Sequence, residues 1–138
     1  MLIRKYTMNH KNVITELEKK YPGKLIIKLP ENEPTEILCE IESTVDHPEY
    51  SMAIAVIDRS VPHYHKEVTE LYEVLKGKLS VYVDGVEHKL EEGDKLEIKP
   101  GSHHYAVGDE TRVRCTARPG WTISDHILSD TKQKRVDN

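Results

Sequence analysis

Several features that would assign this sequence to a class of function are missing from it. No apolar run approaches the roughly 18 residues that a membrane-spanning helix needs. Acidic and basic residues are mixed along the chain, with a formal net charge of −4. These absences exclude a membrane protein and argue against nucleic acid as the main partner. The N-terminal residues also lack the apolar core of a signal peptide, so we expect a cytoplasmic protein.

Cysteine and aromatic residues are scarce as well. Cys39 and Cys115 are the two cysteines and fit no metal-binding spacing, so we expect small buried residues in a reducing compartment. Phenylalanine is absent and tryptophan occurs once, yet branched aliphatic residues recur throughout the 138 residues, which excludes a disordered chain. A chain of this length predicts a single domain over residues 1–138.

The hydrophobic pattern changes once along the chain, from a helical period to a strand period. Residues 8–23 predict a short amphipathic helix with Asn9 as its N-cap and Pro22–Gly23 at its end. Apolar and polar residues then alternate with period two, which predicts an antiparallel sandwich or barrel over residues 24–128 and a flexible polar tail over 129–138. The predicted strands are 24–29, 35–42, 50–57, 71–75, 79–83, 86–90, 95–99, 112–117 and 122–128. The predicted fold class is therefore all-β with one N-terminal helix.

Four side chains in two segments have the types and spacing of a metal site. His63 and His65 are two residues apart, so both imidazoles point to one face of an extended strand. Glu70 follows a turn-like stretch, and His104 follows the Pro100–Gly101 turn, which can bring a third imidazole alongside. Three nitrogens and one carboxylate suit one divalent transition metal ion (Fe, Mn, Ni, Co, Cu or Zn) rather than Ca or Mg. An ion that prefers five or six ligands then keeps one or two positions for substrate or water.

These residues resemble the two sequence motifs of the cupin superfamily. The residues that match the first motif are His63, His65, Glu70 and Gly77, and those that resemble the second are Gly93, Asp94, Pro100, Gly101 and His104. Four residues separate His65 from Glu70 and six separate Glu70 from Gly77, as the first motif requires. The chain departs from the motifs at Ile57, Lys99 and Gly108, none of which is a ligand position.

The resemblance implies a small single-domain cupin with a jelly-roll barrel, also called a double-stranded β-helix. It also implies that His63, His65, Glu70 and His104 hold the metal. Because neighbours in a strand face opposite ways, His103 competes with His104 as the third imidazole, and the motif spacing favours His104. Each ligating imidazole should donate its other ring N–H to a carbonyl, a hydroxyl or water.

The superfamily hosts many activities, so the resemblance does not assign one. We favour a metal-dependent enzyme that acts on a small polar molecule, either an oxygenase or a sugar isomerase or epimerase. Glu70 and Tyr72 are the expected catalytic residues, although Tyr72 can equally be a packing residue of the barrel. The alternatives are a non-catalytic module that binds or senses a sugar or carboxylate, and a structural barrel that does not use its site. We also expect a homodimer, because strands 24–29 and 35–42 leave a sheet edge at which small cupins commonly pair.

Five other polar residues have weaker signals. We interpret Arg59 as a solvated strand end rather than a clamp for an anionic substrate. His88 is interpreted as a partnered core or dimer residue, and His126 with Asp125 as a rim or packing feature. Glu36 is assigned to a charge cluster in loops and edges, with no catalytic role.

Overall fold

One helix and ten strands form the fold in the computed structural model, which describes residues 8–129. The elements are α1 (His10–Lys20), β1 (Ile26–Leu29), β2 (Glu36–Glu42), β3 (Ser51–Arg59), β4 (His63–Tyr64), β5 (Thr69–Lys76), β6 (Leu79–Val83), β7 (Val86–Leu90), β8 (Lys95–Ile98), β9 (His104–Arg118) and β10 (Ile127–Leu128). The predicted all-β class with one N-terminal helix is confirmed. The run 122–128 is shorter than predicted as a strand, because a 3-10 turn at Ile123–Asp125 precedes β10. Residues 130–138 of the predicted tail lie outside the described residues.

The long strand β9 is the centre of the sheet, and it pairs antiparallel with β3, β4, β5 and β6. Residues 104–108 of β9 pair with β6, whereas residues 112–118 pair with β5. Register shifts in the β3–β9 and β5–β9 pairs accompany this change of partner. The sequence predicted only residues 112–117 of β9, since the stretch from His104 to Gly108 lacks a clear alternation of apolar and polar residues.

Gly108 lies where β9 changes partner, and the space there admits no side chain. A Cβ at this position would lie 2.5 Å from Thr111 Oγ1 and 2.9 Å from the carbonyl oxygen of Ile57. Both separations are shorter than packed atoms tolerate. The close approach of β3 to the bend in β9 therefore explains why glycine stands where the chain departs from the second motif.

The helix α1 packs against the outer face of β2 and β3. Its predicted cap is confirmed, because the side-chain oxygen of Asn9 accepts a hydrogen bond from Asn12 N at 3.3 Å. The buried cluster at this face contains Met8, Val13, Leu17, Ile37, Cys39, Ile54 and Val56. Arg112 Nε donates to Glu16 Oε2 at 3.3 Å and so joins the helix to β9. α1 lacks the length and the hydrophobicity that crossing a membrane requires.

Strand β2 is covered on both faces, which corrects the interpretation of its glutamates. Ile37 and Cys39 face the helix, so the alternating residues Glu36, Leu38 and Glu40 face the barrel and line its cavity. The sequence assigns Glu36 to a charge cluster in loops and edges, whereas the structure places it on the cavity wall. A period-two pattern does not reveal which face of a strand is interior when a helix covers one face and a barrel the other.

We predict that Leu17→Ala lowers the free energy of unfolding by about 2–4 kcal/mol, since Leu17 is buried between the helix and the sheet. Leu25→Ala is the matched control, because Leu25 is 58% exposed and its replacement should change stability by less than about 0.5 kcal/mol. Urea denaturation followed by circular dichroism measures both values. Equal losses in the two variants would show that the helix does not contribute to the core.

Candidate metal centre

Two short backbone features bring the three histidines together. Strand β4 has two residues and lies between β9 and β10, with His63 opposite His104 across the β4–β9 pair. His65 follows β4, and its carbonyl oxygen accepts a hydrogen bond from Gly101 N at 2.7 Å. Gly101 has φ +84°, in the left-handed region that favours glycine. The Pro100–Gly101 turn is thereby tied directly to the segment that carries the other two histidines.

Glu70 reaches the same place from β5. Its Oε1 lies 3.3 Å from His65 Nε2 and 3.1 Å from His104 Nε2. One possible ligand atom from each of His63, His65, Glu70 and His104 lies within 4.8 Å of the others. All four residues are buried, with exposed fractions between 2% and 8%. The structure thus brings together the four residues that the sequence predicts as ligands.

The orientation of each imidazole is set by a backbone carbonyl. Nδ1 of His63 donates to the Val61 oxygen at 2.7 Å, and Nδ1 of His104 donates to the Ser102 oxygen at 2.9 Å. Nδ1 of His65 donates to the Asp125 oxygen at 2.9 Å. A neutral ring whose Nδ1 carries the hydrogen presents a lone pair at Nε2. All three rings therefore have the tautomer that binds a metal through Nε2, with the second-nitrogen contacts expected of ligands.

This arrangement places the Nε2 lone pairs of His65 and His104 close to the carboxylate of Glu70. In the tautomer above, Nε2 of His65 and Nε2 of His104 have no hydrogen to donate to Glu70. His65 Nε2 is buried and lacks a hydrogen-bond partner among the described residues. A cation bound among the four groups would accept the three Nε2 lone pairs and pair with the charge of the carboxylate. Three nitrogens with one carboxylate oxygen form a donor set that suits a divalent transition metal ion.

The protonation states of the site follow from burial and from its contacts. Burial, reinforced by the neighbouring His104 and His126, lowers the pKa of His63 to about 3, so this ring is neutral. Burial by itself raises the pKa of the Glu70 carboxyl, but in the metal-free protein the His104 and His65 rings, which donate to Glu70 and carry positive charge when Nε2 is protonated, outweigh it and hold the pKa well below its usual range. A neutral imidazole and an ionised carboxylate are the states that metal binding requires.

A cavity of about 60 Å³ that opens to solvent lies beside two of the four residues. His63 and Glu70 form part of its wall, together with Tyr72 and His126. The other lining residues are Ile27, Leu29, Glu36, Leu38, Glu40, Ser51, Met52, Ala53, Cys115, Ala117 and Trp121. No lysine or arginine in residues 8–129 lines this cavity. It places open space directly beside His63 and Glu70.

Two titratable groups of the cavity wall hold their protons at neutral pH. Tyr72 is buried, as expected for a residue facing the barrel interior, and its ring centre lies 6.3 Å from that of His104. Burial and the nearby Glu70 raise the pKa of Tyr72 well above its ordinary value. Burial, reinforced by Glu70, also raises the pKa of Glu36 to about 8. Sequence reasoning missed Glu36, because its alternation with the apolar Ile37 and Cys39 places it on the other face of β2 but does not show that this face lines the barrel.

His126 packs directly against one of the predicted ligands. Its ring stacks on that of His63, with ring centres 4.2 Å apart and an angle of 16° between the planes. The neighbouring Asp125 supplies the carbonyl that holds His65. The dipeptide Asp125–His126 is visible in the sequence, but nothing in the sequence shows that this part of the chain folds back over β4.

The remaining polar residues lie away from the four predicted ligands. His103 points to the opposite side from His104, where its Nδ1 is 2.8 Å from the Ser129 hydroxyl and its ring stacks on Tyr64. The Arg59 guanidinium lies 5.5 Å from the Tyr105 ring centre at the exposed end of β3 and does not line the cavity. His88 is partly buried and pairs with Val81 in the β6–β7 hairpin.

Comparisons with known proteins identify the same fold. Residues 50–117 match the family described as Cupin domain. Over 67 residues the chain is 39% identical to an uncharacterized protein of Aquifex aeolicus, an alignment that covers 48% of this chain and 55% of that relative. The chain thus spans about half the length of the curated relative that it matches.

Solved structures show the fold over a larger part of the chain. An RmlC-like cupin from Shewanella frigidimarina superimposes with a TM-score of 0.59 at 21% identity, covering 70% of this chain and 85% of the other. A variant of Streptomyces Pac13 with uridine superimposes with a TM-score of 0.66 at 14% identity, covering 81% and 92% of the two chains. Pac13 is described as a nucleoside dehydratase. At these identities the likeness shows the fold alone, and it confirms the predicted jelly roll.

We predict that His63→Ala and His104→Ala each weaken Zn²⁺ binding by at least about tenfold, because each removes one of four buried donors. Competition with a chromogenic chelator and elemental analysis measure the loss. His103→Ala is the matched control and should bind as the wild type does. Loss of metal in His103→Ala but not in His104→Ala would place the third ligand one residue earlier.

We also predict a pH-dependent effect of Glu36→Gln on the metal-free protein. The folded pKa of about 8 lies above the ordinary carboxyl value of about 4.3, so the folded state keeps a proton that the unfolded chain has released. Stability therefore falls as pH rises between these two values, and glutamine removes that loss. The melting temperature of Glu36→Gln should exceed that of the wild type by more at pH 9 than at pH 5.

The control for this effect is Glu40→Gln on the same face of β2. This substitution neutralises a glutamate that lines the same cavity but leaves Glu36 unchanged. A difference between Glu36→Gln and the wild type that stays constant from pH 5 to pH 9 would contradict the prediction.

Proposed function

We propose that this chain, whose residues 50–117 match the Cupin domain family, is a metal-dependent enzyme that uses side chains of its cavity wall to move a proton on a small polar molecule. The observation that carries the proposal is the buried set of His63, His65, Glu70 and His104, with three Nε2 lone pairs and a carboxylate facing one another beside a cavity. These four residues would hold one divalent transition metal ion (Fe, Mn, Ni, Co, Cu or Zn). When bound, such an ion supplies Lewis acidity toward a substrate oxygen.

Three side chains of the cavity wall have different roles in this proposal. Glu70 is engaged by His65 and His104, so we assign it to metal binding. Tyr72 keeps its phenol proton and serves as a hydrogen-bond donor to substrate rather than as a base. Glu36 exchanges its proton near neutral pH, which is the property of an efficient general acid or base. This distribution favours isomerase- or epimerase-type chemistry over an oxygenase reaction.

The composition of the cavity restricts the substrate. Three glutamates line it and no basic side chain of residues 8–129 other than histidine does. A phosphorylated or multiply anionic molecule would therefore meet carboxylates without a lysine or arginine to pair with. Neutral hydroxylated molecules such as sugars fit the polar groups of the wall, while the aliphatic residues can contact a carbon skeleton.

The test begins with elemental analysis of protein purified without chelator. Metal-free protein is then reconstituted anaerobically with Fe²⁺, Mn²⁺ or Zn²⁺, and small sugars and carboxylic acids are screened by NMR for conversion. We expect metal-dependent turnover without O₂, reduced by about a hundredfold in Glu36→Gln and retained in His103→Ala. Consumption of O₂ during turnover would identify an oxygenase instead. Affinity for a sugar or carboxylate without turnover would identify a binding or sensing module.

We further propose that the protein forms a homodimer through β1. This strand pairs with β2 alone among the described residues, so its other edge exposes backbone donors and acceptors that a second copy can satisfy. Light scattering at micromolar concentration should give about twice the chain mass of 15.9 kDa. A mass equal to that of one chain would contradict the proposal.

A further inference from the structure

The segment after β9 folds back over the candidate metal centre and is anchored at several points. Trp121 N donates to Ser51 Oγ at 2.9 Å. The Asp125 carboxylate accepts from Lys66 N at 2.8 Å and from Glu67 N at 3.0 Å. β10 then pairs with β4, the strand that carries His63. The backbone on both sides of His126 is therefore held in place.

His126 lies directly against the site through this anchoring. Its ring stacks on His63 and meets His65 edge-on, with ring centres 5.5 Å apart. It lines the cavity together with His63 and Glu70. A molecule bound in this cavity beside His63 and Glu70 therefore adjoins the part of the wall that contains His126.

The hydrogen-bonding state of His126 can be deduced from a single contact. Trp121 Nε1 lies 3.3 Å from His126 Nδ1. An indole nitrogen can only donate, so His126 Nδ1 accepts and carries no hydrogen. The ring is therefore neutral and its hydrogen is on Nε2. This tautomer is the opposite of the one found for the three predicted ligands.

We propose that His126 is a substrate-contacting residue, which donates its Nε2–H to an acceptor oxygen of the molecule bound at the metal, and that Trp121 is its positioning residue. The ligand is thus a molecule with a carbonyl, carboxylate or hydroxyl oxygen at the end nearest the metal. The same tautomer excludes His126 as a fifth ligand, because its Nε2 has no free lone pair. This inference rests on the proposed metal-dependent function.

The first experiment reads the tautomer by long-range ¹H–¹⁵N correlation of the histidine rings. In Zn²⁺-loaded protein at pH 7.5 we expect His126 to carry its hydrogen on Nε2 and His63, His65 and His104 to carry theirs on Nδ1. In Trp121→Phe the preference of His126 should be lost. A hydrogen on Nδ1 of His126, or a metal-bound Nε2, would overturn the proposal.

The second experiment measures the donated hydrogen bond with formate, a minimal oxygen ligand, by visible absorption of Co²⁺-loaded protein. We expect formate to bind at least about tenfold more weakly to His126→Phe, which keeps an aromatic ring against His63 but has no donor. His126→Gln, which keeps an N–H donor, should recover part of the affinity. His103→Phe is the matched control and should bind formate as the wild type does. Unchanged formate affinity in His126→Phe would overturn the proposal.

The two experiments separate this inference from the proposed function. If His63, His65 and His104 show no Zn²⁺-dependent shift of their ring nitrogens, the metal-dependent function fails. The Trp121–His126 contact is still tested in that case, because the His126 tautomer can be read in metal-free protein.

Discussion

A carboxylate buried against imidazole lone pairs is the constraint on which the rest of this structure depends. An unpaired charge in a protein interior costs several kcal/mol, and the penalty is relieved only when oppositely charged or donating groups are held in the right geometry. Here that geometry is set by carbonyls of three separate segments, at Val61, Ser102 and Asp125. The strands around the site must therefore pair in one particular register, because a shift of one residue would turn a ligand side chain away from the centre.

Strand β9 provides this register. His104 at its start is opposite His63, and Ala117 near its end is opposite Glu70. One strand thus sets the relative positions of a histidine and of the carboxylate, although 34 positions separate them in the sequence. The bend at Gly108 lets the two halves of β9 pair with different strands, and the helix α1 packs outside this framework without touching the four predicted ligands.

The sequence predicted the parts of the structure that depend on short-range spacing. The i, i+2 relation of His63 and His65 and the turn before His104 could be read directly, since strand geometry and turn chemistry are local. Glu36 could not be placed, because its direction depends on which side of β2 the helix covers. His126 could not be placed either, because its position depends on pairing between β4 and β10, which lie more than 60 residues apart. Long-range contacts between short strands leave little pattern in the sequence.

The carbonyl of Asp125 that orients His65 has a consequence for protein synthesis. The residues that hold the predicted ligands extend from Val61 to Asp125, so nearly half of the chain separates the first from the last. In a nascent chain on the ribosome, both strands of the β6–β7 hairpin are synthesised before Asp125. During that interval His65 lacks the contact that selects its tautomer. The complete set of carbonyls that orient the predicted ligands is therefore available only after Asp125 has been synthesised and has folded back against His65.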